Sequence, residues 1–130
     1  MTMIKLVFTL RRRDGMTREE FQRYWREQHA PLVERHARTL RIRRYVQTHA
    51  RETEIDAILA GSRGGEPGFY DGAAELWWDS LEDLVDAYST EEGQRAGAEL
   101  LEDEQRFIDL PRSPLWLGEE HIVVGSEPPA

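Results

Sequence analysis

The sequence contains no cysteine, which excludes a disulfide framework, a thiol nucleophile, a CxxC redox pair and a thiolate-held iron–sulfur cluster. A reducing, cytoplasmic setting fits that usage and is the expectation. Long apolar runs are missing too. The stretch Ile4 to Leu10 is too short for a leader with its cleavage site, and Arg11 to Arg13 follow it instead of preceding it, so neither a secretory signal nor a membrane span is expected. Positive charge is in deficit: 17 Lys and Arg against 25 Asp and Glu leave a formal charge of −8, which repels phosphate backbones. The one dense basic cluster, Arg41, Arg43 and Arg44, is short, and nucleic acid is not an expected partner. No HxH or HExxH spacing supports a metal site. Gly61, Gly64 and Gly65 neither follow a strand nor open a helix in GxGxxG register, so no nucleotide fingerprint and no cofactor are expected.

What is present is ring surface: four tryptophans in 130 residues, 9% aromatic overall, a supply that points to a pocket or an interface. The length fits one domain, with a core over about residues 3–124 and a tail, Ser126 to Ala130, expected to fray. Residues 3–11 form a continuous apolar run closed by Asp14-Gly15, a first strand covered on both faces. Thr17 and Glu20 form a capping box, and Phe21, Trp25, Gln28 and Leu32 then recur on one helix face with His29 and His36 on its flank. Pro31 has no N–H for the Glu27 carbonyl, so a kink or restart is expected near His29.

Arg41 to His49 reads as a second strand, with Tyr45, Gln47 and His49 on one face and Ile42, Val46 and Thr48 mostly on the other. From Ala50 to Gly68 the pattern weakens into a long loop, in which Ile55 to Leu59 can make one helical turn. Tyr70 to Trp78 is a third strand that sets Ala73, Glu75 and Trp77 against Ala74, Leu76 and Trp78. Leu81 to Tyr88 and a second piece through Ala96, Leu100, Glu104 and Phe107 are helical, with a joint at Gly93. Leu115 to Val124 is a fourth strand.

The order strand, helix, strand, strand, helix, strand makes one four-stranded antiparallel sheet with both helices on one face, an α+β arrangement. The other face then needs a cover. A ring such as Trp77 left in water exposes roughly 150–250 Å² and forgoes about 4–6 kcal/mol at ~25 cal/mol per Å². Pairing with a second copy through a two-fold axis is the simplest remedy.

The block Met16-Thr17 through Phe21, Tyr24-Trp25, His29-Ala30-Pro31-Leu32-Val33, then Tyr45-Val46-Gln47 and His49, resembles the EthD-like family of dimeric α/β-barrel proteins. Tyr70-Asp71-Gly72, Glu75-Leu76-Trp77 and Phe107-Ile108-Asp109 resemble it as well, so the likeness runs from residue 3 to about 124, apart from Arg51 to Gly68. It implies a ferredoxin-like βαββαβ protomer, a homodimeric barrel and a pocket between sheet and helices. Relatives include cofactor-independent enzymes that decarboxylate, cyclise or isomerise aromatic polyketides and lactones, and quinone-forming monooxygenases share the fold. Membership therefore fixes architecture better than reaction.

His29 is the first candidate for general acid or base, because the resemblance includes it and a histidine exchanges protons near neutral pH; capping of the carbonyls freed at Pro31 is the plainer alternative. Tyr45 and His49, with Gln47 between them, present a phenol and an imidazole to one side of the strand, where they can orient and polarise a carbonyl. Interface filling and a surface strand end would look the same. Glu75 stands beside Trp77, where desolvation would suit proton transfer; a salt bridge to Lys5 is the other reading. Trp25, Gln47, Tyr70 and Trp77 are expected to bind substrate, while Asp71, Asp83 and Asp109 serve turns and caps. The leading expectation is a cofactor-independent enzyme acting on a small aromatic or lactone-like ligand. An accessory ligand-binding protein for a partner oxidoreductase, or a cofactor-free monooxygenase acting on a hydroquinone or anthrone, are the alternatives.

Overall fold

A computed structural model describes residues 2–125. Four strands, β1 (Ile4–Leu10), β2 (Arg44–His49), β3 (Gly72–Trp78) and β4 (Leu115–Gly118), form one antiparallel sheet in the order β2-β3-β1-β4. Helices α1 (Arg18–Tyr24), α2 (Ala30–His36), α4 (Leu81–Ala87) and α5 (Glu91–Glu104) accompany it, and α3 (Glu54–Gly61) rises from the long connection between β2 and β3. This is the ferredoxin-like α+β arrangement. The expected tail at 126–130 lies outside the described residues.

The capping box forms as its sequence requires: the Glu20 N–H donates to Thr17 Oγ1 and the Thr17 N–H to Glu20 Oε1. The discontinuity expected at Pro31 takes the form of a π turn over Trp25–His29, where the Ala30 N–H reaches the Trp25 carbonyl. A wide turn placed just before the proline relieves the crowding its ring would cause in a regular helix. It also changes the buried face. Phe21, Trp25, His29 and Val33 form the buried row, Gln28 is exposed, and His29 sits in the row instead of on its flank.

Other boundaries shift for local reasons. Arg41 adopts a left-handed conformation (φ 59°), which breaks the alternation ahead of β2 and turns Ile42 toward the same cluster as Tyr45. Tyr70 precedes β3, and pairing of β4 ends at Gly118, short of Val124. The single helical turn expected near Ile55 is an eight-residue helix with its own capping box between Thr53 and Asp56.

Two buried clusters occupy the space between sheet and helices. One gathers Phe8, Leu10, Phe21, Trp25, Ala74, Phe107 and Ile108; the other gathers Val33, Leu40, Ala96 and Leu100, and Tyr45 packs against both. The opposite sheet face carries Lys5, Val7, Arg44, Val46, Glu75, Trp77 and Trp116, which alternate with the inward residues. Trp77 is not left in water there. It is only 4% exposed, because Lys5 and Arg44 lie 4.9 and 5.0 Å from its ring and its indole N–H donates to Glu120 at 2.6 Å. The cover expected from a second sheet is supplied at this residue by the chain's own charged side chains, and the uncovered ring of that face is Trp116, 51% exposed. β1 is accordingly buried on its inner side only at Phe8 and Leu10 and covered in part elsewhere.

Asp71, 1% exposed, ties the ends of β1 and β3 to α1: its carboxylate accepts the Arg12 N–H at 2.8 Å, Arg12 Nη1 at 2.6 Å and Arg18 Nε at 2.9 Å. Burial opposes its charge, but these donors hold its pKa below the ordinary value. A depressed folded pKa means the contribution is complete above the unfolded value and is lost as pH falls through the folded one. Asp71→Asn is therefore expected to lose about 2 kcal/mol at pH 7 in urea unfolding. The gap to the parent should begin to narrow only below about pH 4 and close once pH lies below the depressed folded value; a gap that does not narrow as pH falls through that range would show that charge is not what Asp71 supplies.

Candidate functional site

A cavity of about 240 Å³ opens along the seam between the two core clusters. Its walls are apolar, from Leu6 and Phe8 on β1, Ala74, Leu76 and Trp78 on β3, and Trp25, Val33 and Leu100 on the helices. Four polar side chains reach it: His29, Tyr45, Tyr88 and Glu104. The indole N–H groups of Trp25 and Trp78 are further polar groups of its lining, that of Trp78 donating to the Leu40 carbonyl at 2.7 Å.

The π turn delivers His29, and α5 delivers its partner. His29 Nδ1 lies 2.7 Å from Asp103 Oδ2, with both side chains buried. Asp103 is itself held, accepting from the Tyr24 hydroxyl at 2.5 Å and from Arg106 Nη1 at 3.1 Å. Burial raises the pKa of this carboxylate, but Tyr24, His29 and Arg106 outweigh it and the net shift is downward. For His29, burial lowers the pKa and outweighs the opposing pull of Asp103. The consistent state at neutral pH is an ionised Asp103 accepting Nδ1–H from a neutral imidazole, with the lone pair of Nε2 left available. That is a base ready to take a proton.

Glu104, the next residue, behaves oppositely. Burial, then the neighbouring charge of Asp103, pushes its pKa up to about 7. A carboxylic acid and a neutral imidazole therefore share one apolar cavity, with pKa values moved toward each other from their usual positions.

Behind the cavity stands a chain of oriented groups. Gln47 Nε2 donates to the Tyr45 oxygen at 2.8 Å and to the Trp25 carbonyl at 3.0 Å, while Gln47 Oε1 meets His49 Nε2 at 2.8 Å. An amide nitrogen can only donate, so the Tyr45 oxygen is an acceptor from Gln47 and its own hydrogen is left for the cavity. Burial raises the Tyr45 pKa against the effect of Gln47 and Trp25, which keeps that hydrogen on the oxygen. The His49 ring stacks on Trp25 with centroids 4.4 Å apart, and Trp25 lies flat against β3 because Gly72 has no Cβ; one built there would come within 2.6 Å of the indole.

The structure thus brings His29, Tyr45 and Trp25 to one cavity and sets Gln47 and His49 behind it. It does not bring Glu75, Trp77 or Tyr70 there. Tyr45 pairs with Leu76 across the ladder, so Glu75 and Trp77, one residue away on either side, point to the opposite face. Glu75 forms an ion pair with Lys5, and Tyr70 lines a separate, open cleft with His49, Arg51 and Arg63. Asp103 was not singled out by the sequence reading, and Glu104 only as a member of a helix face. Their signal was an acidic pair set between Leu100 and Phe107 at helical spacing on a buried face. Among the described residues no three histidine or acidic side chains converge as metal ligands do, and no helix is long and apolar enough to cross a membrane.

The match to the EthD domain model spans residues 13–111. The chain belongs to the EthD family. Its fold matches that of an ethyl tert-butyl ether d (EthD) family protein from Bacillus halodurans C-125, at 21% identity over 92% of this chain and 99% of that one, with a TM-score of 0.62. It also matches a dimeric protein of ferredoxin-like fold from Bacteroides fragilis NCTC 9343, at 14% identity, 91% and 96% coverage, and a TM-score of 0.58. A variant of SnoaB, a cofactor-independent oxygenase from Streptomyces nogalater, matches at 11% identity over 97% of this EthD protein and 100% of that chain, with a TM-score of 0.58. Among curated proteins none matches the sequence.

The raised pKa of Glu104 has a stability consequence. Between about 4.5 and about 7 the folded state keeps a proton that the unfolded state has released, so stability falls as pH rises through that window. Glu104→Gln removes the penalty, and the variant is expected to be more stable than the parent at pH 8 by on the order of 2–3 kcal/mol. Thermal or urea unfolding at pH 4 and pH 8 checks this: equal stability at both would place Glu104 in water.

Proposed function

We propose that this EthD-family protein is a cofactor-independent enzyme that moves a proton on a small aromatic, polyketide or lactone-like substrate, as in an isomerisation or cyclisation. The observation that carries this reading is His29, with Nδ1 fixed by the buried Asp103 and its ring lining an apolar cavity shared with Tyr45 and Glu104. In such a site Nε2 takes a proton from carbon or oxygen. The negative charge that develops on the substrate oxygen is met by the hydroxyl of Tyr45 and by protonated Glu104, and apolar walls strengthen both interactions. His49 and Gln47 act through Tyr45 by fixing which way its hydrogen points. Decarboxylation is the least supported member of the class, because no lysine or arginine among the described residues lines the cavity to receive a carboxylate.

A second reading is favoured by the likeness to a protein described as a cofactor-independent oxygenase. The same base would form the anion of a dihydroxylated ring, which then reacts with dioxygen. Oxygen uptake with a hydroquinone separates the two readings.

We also infer that the chain pairs with a second copy through the face bearing Trp116, with Val7 and Val46 beside it. One fold relative is described as dimeric, and Trp116 is the large ring on that face left half in water. Trp116→Glu is expected to move the protein from dimer to monomer in sedimentation velocity without loss of helical signal. A parent that already sediments as a monomer at micromolar concentration would rule the pairing out.

Proton transfer is tested directly with 2-tetralone, a two-ring ketone with an acidic C–H, by following its uptake of deuterium by NMR. The parent is expected to accelerate exchange, and His29→Ala to lose about 10²–10⁴-fold. The rate should rise with pH as His29 loses its proton below its ordinary 6.5 and fall again as Glu104 ionises near about 7. An exchange rate or pH profile indifferent to His29→Ala would remove the histidine from the reaction.

A further inference from the structure

We infer that the cavity selects an uncharged aromatic ligand of one or two fused rings, refuses its carboxylated analogues, and has its size limit set by Tyr88 lying in a notch made by Gly97. The inference rests on the same cavity as the proposed function but concerns what enters it, not what is done there.

Size comes first. A cavity of about 150 Å³ holds a single benzene ring, and drug-sized ligands occupy about 300–1,000 Å³. At about 240 Å³ this one has room for a ring and a fused neighbour, and not for a third. Walls come next. Tryptophan, phenylalanine and branched aliphatic side chains surround the space, and Trp25 and Trp78 place two indoles in its lining, surfaces that stack on or edge against a flat ring.

Charge decides the rest. Among the described residues no lysine or arginine lines the cavity, whereas Glu104 does, with ionised Asp103 next to it in sequence. An entering carboxylate would lose its water, find no cation, and face one carboxyl group directly and a second through the imidazole. The protein's own carboxyl there already resists ionisation for the first of these reasons. A neutral phenol or ketone meets none of these penalties and finds a donor at Tyr45 and an acceptor at His29 Nε2.

The limit on length lies at Tyr88. Its ring lines the cavity just past the end of α4 and rests against α5 at Gly97, where a Cβ would come within 2.7 Å of the ring. Glycine inside a helix is unfavourable by about 1 kcal/mol relative to alanine, so a reason for it is expected, and the Tyr88 ring occupies the space its missing side chain leaves. The ring is thereby fixed as one wall of the cavity, a wall whose removal would enlarge the space.

Calorimetric titration of the full chain at pH 8 with 2-naphthol, 2-naphthoate and 2-anthrol tests each part. The parent is expected to bind 2-naphthol at least about tenfold more tightly than 2-naphthoate, about 1.4 kcal/mol, and not to bind the three-ring 2-anthrol. Glu104→Gln should raise affinity for 2-naphthoate and narrow that gap, and Tyr88→Ala should admit 2-anthrol. Naphthoate binding as well as naphthol, no saturable binding of naphthol, or 2-anthrol excluded equally by parent and Tyr88→Ala would each overturn the inference. The proton-transfer reading fails separately: selective naphthol binding with no exchange of 2-tetralone would leave the ligand class standing and remove the reaction.

Discussion

The carboxylate of Asp103 is the point at which helix packing becomes site geometry. It sits near the end of α5 and accepts from Tyr24 on α1, from His29 on the π turn and from Arg106 just beyond α5. A buried carboxylate is tolerable only when its lone pairs are filled, so its place in the core obliges these elements to converge on it. His29 is held by that obligation. The ring has one nitrogen committed to the carboxylate and rests 5.1 Å from Phe107, which leaves the other nitrogen a fixed aim.

The π turn is the second half of the same arrangement. Regular helix through Trp25 to His29 would run into Pro31 without room for its ring. Widening one turn resolves the clash, and the indole and the imidazole lie on the same buried row. Residues four apart share a face of any helix, and the irregularity at the proline carries that row on to Val33 with Gln28 left exposed, in keeping with the frequency of such turns at functional sites.

Much of the architecture was legible because it depends on local chemistry. Thr17 and Glu20 announce a helix start, period-two alternation separates Tyr45, Gln47 and His49 from their neighbours, and Pro31 marks the irregular turn; each acts over a few residues. The site was legible only in halves. His29, Tyr45 and Trp25 declared themselves by residue type and by family likeness, but their relation to Glu75 and Trp77 depends on strand register, which no single strand carries. That two alternating strands place Tyr45 opposite Leu76, and not opposite Glu75, is a property of the pair. Asp103 was illegible for a related reason: its partner His29 is distant in sequence, and an acidic residue beside another acidic residue near a helix end reads as solvent-facing until the helix is docked. Trp77 misled in the opposite sense, since its cover comes from Lys5, Arg44 and Glu120, charged residues whose stems and heads lie over the ring.

The two faces of the sheet have divided the polar chemistry between them. On the outer face Lys5 has Glu75 and Glu120 for partners, and burial, which would lower its pKa, is outweighed by them, so the ammonium is held charged. Charges fixed in pairs are spent on each other and have little left for a ligand. On the inner face the cavity-lining groups are of another kind: an imidazole whose burial favours neutrality, a phenol that keeps its hydrogen, and a carboxyl group poised near neutral pH. Groups that can be neutral are the ones an apolar cavity can hold without a counter-ion, and they are also the ones that can change protonation state during a reaction. The same low-polarity walls that forbid a permanent charge make a transient one responsive to a single hydrogen bond. The proposed selection against fixed charge and the proposed proton transfer therefore rest on one property of the cavity, apolar walls that carry no lysine or arginine among the described residues. The register that sends Glu75 outward and Tyr45 inward is what keeps the paired charges of the outer face out of it.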